Sequence, residues 1–185
     1  MIWPDEINVA SRQLQSTYEM PIPEKHEMRR KDKELSNLTA IEDIVRNSLV
    51  CRLGLAEEDQ PYVVPLSFGF RDNALYFHSA PKGKKIDMLK RNNKVCFEFD
   101  IDHEVVADEQ ACKWGMKYRS VIGFGRATIV EDMVEKIKGL DAIMDQYSDR
   151  PFVYPEVKLE NTVIIKVEIE SMTGKQSGYE EDSVR

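Results

Sequence analysis

An antiparallel β-barrel with peripheral α-helices is the fold class this sequence predicts, and three observations predict it. Six segments, at 48–55, 62–70, 74–79, 95–102, 116–130 and 162–170, carry the apolar alternation or β-branched runs of strands. Short turns or single helices join them, without the regular strand–helix rhythm that builds a parallel sheet. The longest amphipathic helix falls late in the chain and has no helical partner of similar length.

Residues 1–34 read as an extension: Pro4, Pro21 and Pro23 interrupt them, and Glu24–Glu34 is a charged run with few apolar residues. Thr39-Ala-Ile-Glu42 has capping-box spacing, and Ile41, Ile44 and Val45 make one apolar stripe, which predicts a helix over 40–47. Ser48–Leu55 is the first strand, and Pro61 opens the second, Tyr62–Phe70. Pro65 lies inside that second strand. Proline cannot donate to a ladder, so the strand belongs at an edge or carries a bulge.

Arg71-Asp72-Asn73 predicts a tight hairpin turn into a third strand, Ala74–Ser79. Pro81–Gly83 is a loop, and Lys84–Arg91 a helix with Ile86 and Leu89 inward. Val95, Phe97, Phe99 and Ile101 then alternate with polar residues as a half-buried strand does. The polar stretch 103–115 reads as a connecting loop. Strand 116–130 contains Gly123 and Gly125, which mark a bend, a bulge or the close approach of another group. In the helix over 131–147, Val134, Ile137, Leu140, Ile143, Met144 and Tyr147 share a face expected to meet the core. Residues 148–161, with Pro151 and Pro155, read as irregular before the last strand.

Composition bounds the function. A chain of 185 residues suits one domain, and a net charge of −7 argues against a general nucleic-acid binder, whose affinity comes from neutralising phosphates. Lys82, Lys84 and Lys85 nevertheless form a local basic patch. Cys51, Cys96 and Cys112 make no C-x-x-C pair, which fits a reducing compartment, and His26, His78 and His103 show no zinc-ligand spacing, so no metal centre is expected. The first residues lack a signal-peptide pattern, and no apolar run is long enough to span a membrane. A cytoplasmic location is the expectation.

The stretch Gln60–Arg91 carries the chemistry. A helix beginning at Lys84 presents unpaired amides and a positive dipole end, Gly83 permits close approach, and two lysines can neutralise a phosphate. His78 and Ser79 close the strand just before this loop. Neither a Walker P-loop nor a Ser-His-Asp set can be drawn from the sequence.

Five motifs then occur in order: M-R-R-K-D-K-E (28–34), P-Y-V-V-P-L-S-F-G-F (61–70), L-Y-F-H-S-A with G-K-K-I-D (75–87), K-V-C-F-E (94–98) and Y-R-S-V-I-G-F-G-R-A (118–127). Together they resemble the nitroimidazole-resistance branch of the pyridoxamine 5'-phosphate oxidase-like flavoproteins. The resemblance covers about residues 28–175, leaves 1–27 as an N-terminal extension with Met28 as an alternative start, and makes 28–185 one split-barrel domain. It implies a homodimer with FMN at the subunit interface. Pro65, Leu66, Ser67 and Phe68 would line the isoalloxazine edge, and His78, Ser79 and Ala80 would flank the ring and ribityl chain. Gly83, Lys84 and Lys85 would hold the phosphate. Ser120 and Val121 would approach the flavin, from the second subunit. Where related oxidases have a Ser-Arg-Lys run, this chain has Gly and Lys, losing a hydroxyl and a planar fork.

The implied activity is reduction of a small-molecule acceptor by an FMN-dependent oxidoreductase drawing on NAD(P)H or another cellular reductant, with His78 as proton donor or substrate contact because imidazole as a class titrates near neutrality. Two rival readings keep the fold: a non-catalytic flavin or haem module, and a deazaflavin in place of FMN. An oligonucleotide-binding barrel is a third, and it sits poorly with basic residues scattered amid net negative charge.

Overall fold

Strand pairing is antiparallel throughout and joins eight strands into one sheet. The computed structural model describes residues 28–179, so the extension expected over 1–27 lies outside the described residues. In chain order the strands are β1 (Glu34–Leu35), β2 (Cys51–Glu57), β3 (Gln60–Leu66), β4 (Gly69–Arg71), β5 (Ala74–Ser79), β6 (Lys94–Val106), β7 (Gly115–Val130) and β8 (Val163–Ser177). The helices are α1 (Leu38–Asn47), α2 (Lys84–Arg91), α3 (Met133–Asp145) and α4 (Glu156–Glu160).

Eight strands replace the expected six for two reasons. The second expected strand breaks at Ser67-Phe68 into β3 and β4, and β1, too short to show a period, pairs with the far end of β8 at Leu35 and Gly174. The order along the sheet is β3-β2-β6-β7-β8-β5-β4, which leaves β3 and β4 as its edges. Only Ser67 and Phe68 separate those edges in the chain, and three Cα steps span at most about 11 Å. The sheet must therefore roll until its edges nearly meet, giving a barrel split along one seam. Because β4 pairs only with Ala74–Tyr76, Phe77–Ser79 have no strand on that side, and the seam widens there.

The edge alternative for Pro65 is the one realised: it stands opposite Arg52 in β3 with no register shift. Asp72 and Asn73 take φ of 52° and 55°, the pair of left-handed residues of a type I′ hairpin turn. Phe68, Phe77, Phe97 and Phe99 are fully buried, with ring centroids 4.8 Å apart for Phe68–Phe99 and 6.0 Å for Phe97–Phe99. Each such ring contributes about 1.5–3 kcal/mol by leaving water.

Several expectations need correction. Helix α1 begins earlier than the capping-box reading places it: Asn37 is the cap, its Oδ1 accepting the Thr39 N–H at 2.9 Å. The core stripe Ile41, Ile44 and Val45 is as expected. The stretch 103–115 is largely strand, since β6 runs to Val106 past an irregularity where Asp102 has φ 58°, and β7 starts at Gly115. Residues 102–116 are exposed, so no buried face imposes an apolar alternation there. β8 likewise runs on to Ser177, and α4 occupies part of 148–161.

Helix α3 is turned from its expected orientation. Val134 is 62% exposed, while Lys136, Gly139, Ala142 and Ile143 are buried. Small residues win this face because the helix rides close against the β4 backbone and the Ile164 side chain. A Cβ on Gly139 would come within 2.8 Å of Ile164 Cγ2, and one on Gly69 would collide with the Ala142 carbonyl. Lys136 buries its stem and donates from Nζ to the Leu159 carbonyl at 3.1 Å. Among the described residues no helix is long and apolar enough to cross a membrane.

Candidate functional site

The seam is bordered by β3, by the uncovered end of β5 and by the start of α2. Helix α2 is capped by Gly83 at φ 128° and ψ 166°, a backbone region that L side chains rarely adopt. A serine there would be strained. The Gly83 carbonyl accepts from Ile86 and Asp87 at 2.9 and 3.1 Å, so the N–H groups of Lys84 and Lys85 precede the helix's own bonding and face outward. Nothing lies within 4 Å of where a Gly83 Cβ would stand.

Three lysines stand at this end, and among the described residues none has a carboxylate partner. Lys84 Nζ instead lies 4.5 Å from the centroid of the Tyr62 ring, which ties the α2 end to β3. Lys85 is half-buried, and burial pushes its ammonium below the usual lysine range. A desolvated cation beside unpaired amides is a site that an anion would stabilise. These residues fit a phosphate group.

The expected site residues divide by placement. Pro65, Ser67, His78, Ala80, Gly83 and Lys84 are exposed around the seam, and Leu66 and Lys85 are half-buried beside it. Ser79 is 5% exposed and its hydroxyl donates to the Ala80 carbonyl at 2.9 Å, so that hydrogen is not available to an anion. The Phe68 side chain is in the core and its N–H is committed to the Tyr147 hydroxyl at 2.9 Å. Val121 is fully buried inside the barrel, while its neighbour Ser120 lies on the outer face. Gly123 and Gly125 also point inward, so the close approach they allow is to the Phe97 ring and the β8 backbone rather than to a ligand.

Ser120 does not meet His78 within one chain. His78 is paired with Ile164 and Ser120 with Lys175. Eleven steps of β8 separate those partners, about 35 Å of strand. Within one protomer the two residues therefore lie beside opposite ends of β8. The outer face near Ser120 is also unusually apolar, since Val63, Ile122 and Phe124 are 62%, 46% and 55% exposed across β3 and the central strand β7.

On this face Arg52 bridges Glu98, at 3.1 Å, and Asp100, whose other oxygen meets His103 Nε2 at 2.6 Å. Burial first, and then Asp100, raise the Glu98 carboxyl above its usual range, with Arg52 opposing them. Removing the guanidinium as Arg52→Met should raise it further. A carboxyl raised in the folded state contributes stability below its unfolded pKa and loses it as pH rises through the folded pKa. Urea midpoints should therefore show the variant about 1 kcal/mol less stable at pH 8 and much closer to wild type at pH 4. An equal loss at both pH values would exclude the carboxylate pair as the cause.

A cleft of about 380 Å³ lies elsewhere, between Arg46, Phe70 and Asp145 on the α1–α3 side, and includes none of the expected residues.

The family model described as pyridoxamine 5'-phosphate oxidase matches residues 37–176, most of the described chain and every element from α1 to nearly the end of β8. The chain belongs to that family. Members of the pyridoxamine 5'-phosphate oxidase family share this split barrel and bind flavins. A structure from Bacteroides thetaiotaomicron, named as a candidate 5-nitroimidazole antibiotic resistance protein, is 38% identical, with 77% of this chain and 86% of that chain covered and a TM-score of 0.70. It places the chain in the nitroimidazole-resistance branch. An FAD-binding protein from Mesorhizobium loti is 26% identical, covering 79% of this chain and 98% of that one at a TM-score of 0.57. An uncharacterised protein from Rhizobium meliloti is 41% identical over 49 residues, which span 26% of this chain and about a third, 32%, of the curated relative's length.

Sequence reasoning missed Tyr62 and Tyr147. Tyr62 reads only as the first residue of a strand, although an aromatic beside a lysine loop is a cation–π partner in waiting. Tyr147 was absorbed into an apolar helix stripe, although a tyrosine hydroxyl near the core needs a partner.

Proposed function

We propose that the protein binds FMN along the seam and reduces a small nitroaromatic acceptor with electrons from NAD(P)H. The observation that carries this is the lysine cluster at the α2 N-terminus, without carboxylate partners among the described residues, in a chain of net charge −7, bordering two open sheet edges. Lys84, Lys85 and their amides hold the phosphate, and Pro65–Ser67 and His78–Ala80 frame the ring system. FMN supplies two-electron redox chemistry when bound, and the chain supplies orientation and a proton. The acceptor class follows the name of the Bacteroides relative. His78, exposed at the end of β5, offers an imidazole N–H to a reacting group in the groove.

The test is anaerobic stopped-flow of the FMN-loaded protein, first with NADPH and then with a 5-nitroimidazole. Bleaching by the first and recovery by the second are expected. No bleaching with NADPH or NADH would favour a non-catalytic flavin module. His78→Ala should keep FMN bound and lose about a hundredfold in acceptor turnover. Unchanged turnover would remove His78 from the chemistry.

A second copy of this chain completes the groove in this reading. Ser120 and His78 are paired with residues at opposite ends of β8, and Ser120 shares an outer face with exposed Ile122 and Phe124. Covering that face by a two-fold related copy buries the apolar patch and carries the partner copy's outer face toward the site. Phe124→Asp should raise the dimer dissociation constant more than about tenfold in analytical ultracentrifugation. Wild-type protein that sediments at 21.4 kDa with flavin bound would rule out the shared site.

A further inference from the structure

Helix α3 ends in two side chains that tie down backbone from two other parts of the chain. Gln146 Nε2 donates to the carbonyls of Arg46 and Ser48, at 2.8 and 3.0 Å. The Tyr147 hydroxyl donates to the Leu49 carbonyl at 3.0 Å and accepts the Phe68 N–H at 2.9 Å. Both capacities of that hydroxyl are used, although Tyr147 as a residue is 40% exposed. The helix end beneath it is itself closed, with Tyr147 and Ser148 donating to the Met144 carbonyl.

The location gives these bonds their meaning. Ser67 and Phe68 are the sole covalent step from one sheet edge to the other, and neither belongs to a strand. The Phe68 amide thus has no ladder to join, and a buried amide without an acceptor is costly. Tyr147 provides the acceptor, while the Phe68 ring is anchored on Phe99 at 4.8 Å. With ring and amide both fixed, Ser67 is the residue left exposed at the seam, and the path of its peptide is set from behind.

We propose that Tyr147 is a positioning residue for the cofactor: its hydroxyl holds the Ser67–Phe68 crossover in the one path that presents Pro65–Ser67 to the ring system in the seam. The inference rests on the proposed flavin site and extends it to a residue that does not touch the ligand. Because the crossover meets the ring end rather than the phosphate end, its effect must be the same for FMN and for riboflavin. The lysines, by contrast, distinguish the two.

Tyr147→Phe removes the hydroxyl and keeps the ring. The expected result is about a tenfold weaker dissociation constant for FMN and for riboflavin alike, a changed visible circular dichroism of the bound flavin, and faster hydrogen exchange at residues 67–69. Tyr154→Phe is the control, since Tyr154 donates only to Asp141 Oδ1, at 2.9 Å, and touches no part of the crossover. It should leave all three readouts unchanged. Wild-type affinity, dichroism and exchange in Tyr147→Phe would overturn the inference while leaving the flavin site standing. Wild-type protein that binds neither flavin overturns the proposed function and the ligand end of this inference together, and exchange at 67–69 then still decides whether the crossover is held by Tyr147. A lowered melting temperature with unaltered flavin dichroism would reduce Tyr147 to a structural role and so also overturn it.

Discussion

Replacing Lys84 and Lys85 together by alanine is expected to weaken FMN binding by two to three orders of magnitude, about 3–4 kcal/mol, and to leave riboflavin binding unchanged. The size follows from losing two charge-assisted contacts to a phosphate dianion, each worth about 1.5–3 kcal/mol, with some compensation from Lys82 and the helix amides. The riboflavin control matters because it has the ring and lacks the phosphate. A parallel loss of both ligands would mean that the double substitution disturbed the seam rather than the anion site. Fold stability should move little, since neither lysine has a carboxylate partner among the described residues and burial already disfavours the Lys85 ammonium. Raising salt should weaken wild-type FMN binding and barely affect the variant. Fluorescence quenching titrations at two ionic strengths read both effects.

How legible this site was in the sequence differs residue by residue, for physical reasons. The Gly83–Lys85 loop could be read because helix starts and phosphate chemistry use local residue types, and a glycine at φ 128° leaves a compositional mark. Pro65 announced an edge strand because a missing N–H has few places to go. The roll of the sheet was not legible: that β3 and β4 are opposite edges joined by two residues depends on which strands pair, and pairing has no local signature. Helix α3 misled for a related reason. Its apolar residues Val134 and Ile137 suggested the core face, yet close approach to the Gly69 backbone selects Ala142 and the Ile164 side chain selects Gly139, and hydrophobicity alone does not encode that proximity. Val121 illustrates the remaining limit. Adjacent strand residues point to opposite faces, so a motif carried over as a block always includes side chains turned away from the ligand.

Gly123→Ala should destabilise the fold by about 3 kcal/mol or more. In the sequence this glycine marks a bend, a bulge or the close approach of another group. In the structure the new Cβ would overlap the Phe97 ring and stand 2.7 Å from the Ser171 carbonyl oxygen. Neither neighbour can yield cheaply. Phe97 is fully buried, stacked edge-on to Phe99, and its ring has no open side to rotate into. The Ser171 carbonyl belongs to β8, next to the register shift between Phe124 and Gly125, and moving it would disturb the longest strand pairing in the sheet. Urea denaturation of the variant should show a lower midpoint with an unchanged slope. The refolded fraction that remains should bind FMN with wild-type affinity, because Gly123 faces the core and the anion site is on another element. A variant of near-normal stability that had lost FMN would reverse this assignment and return Gly123 to the ligand. Gly83 and Gly123 therefore separate cleanly: Gly83 borders the proposed ligand groove, and Gly123 makes room for a phenylalanine that closes the barrel from within.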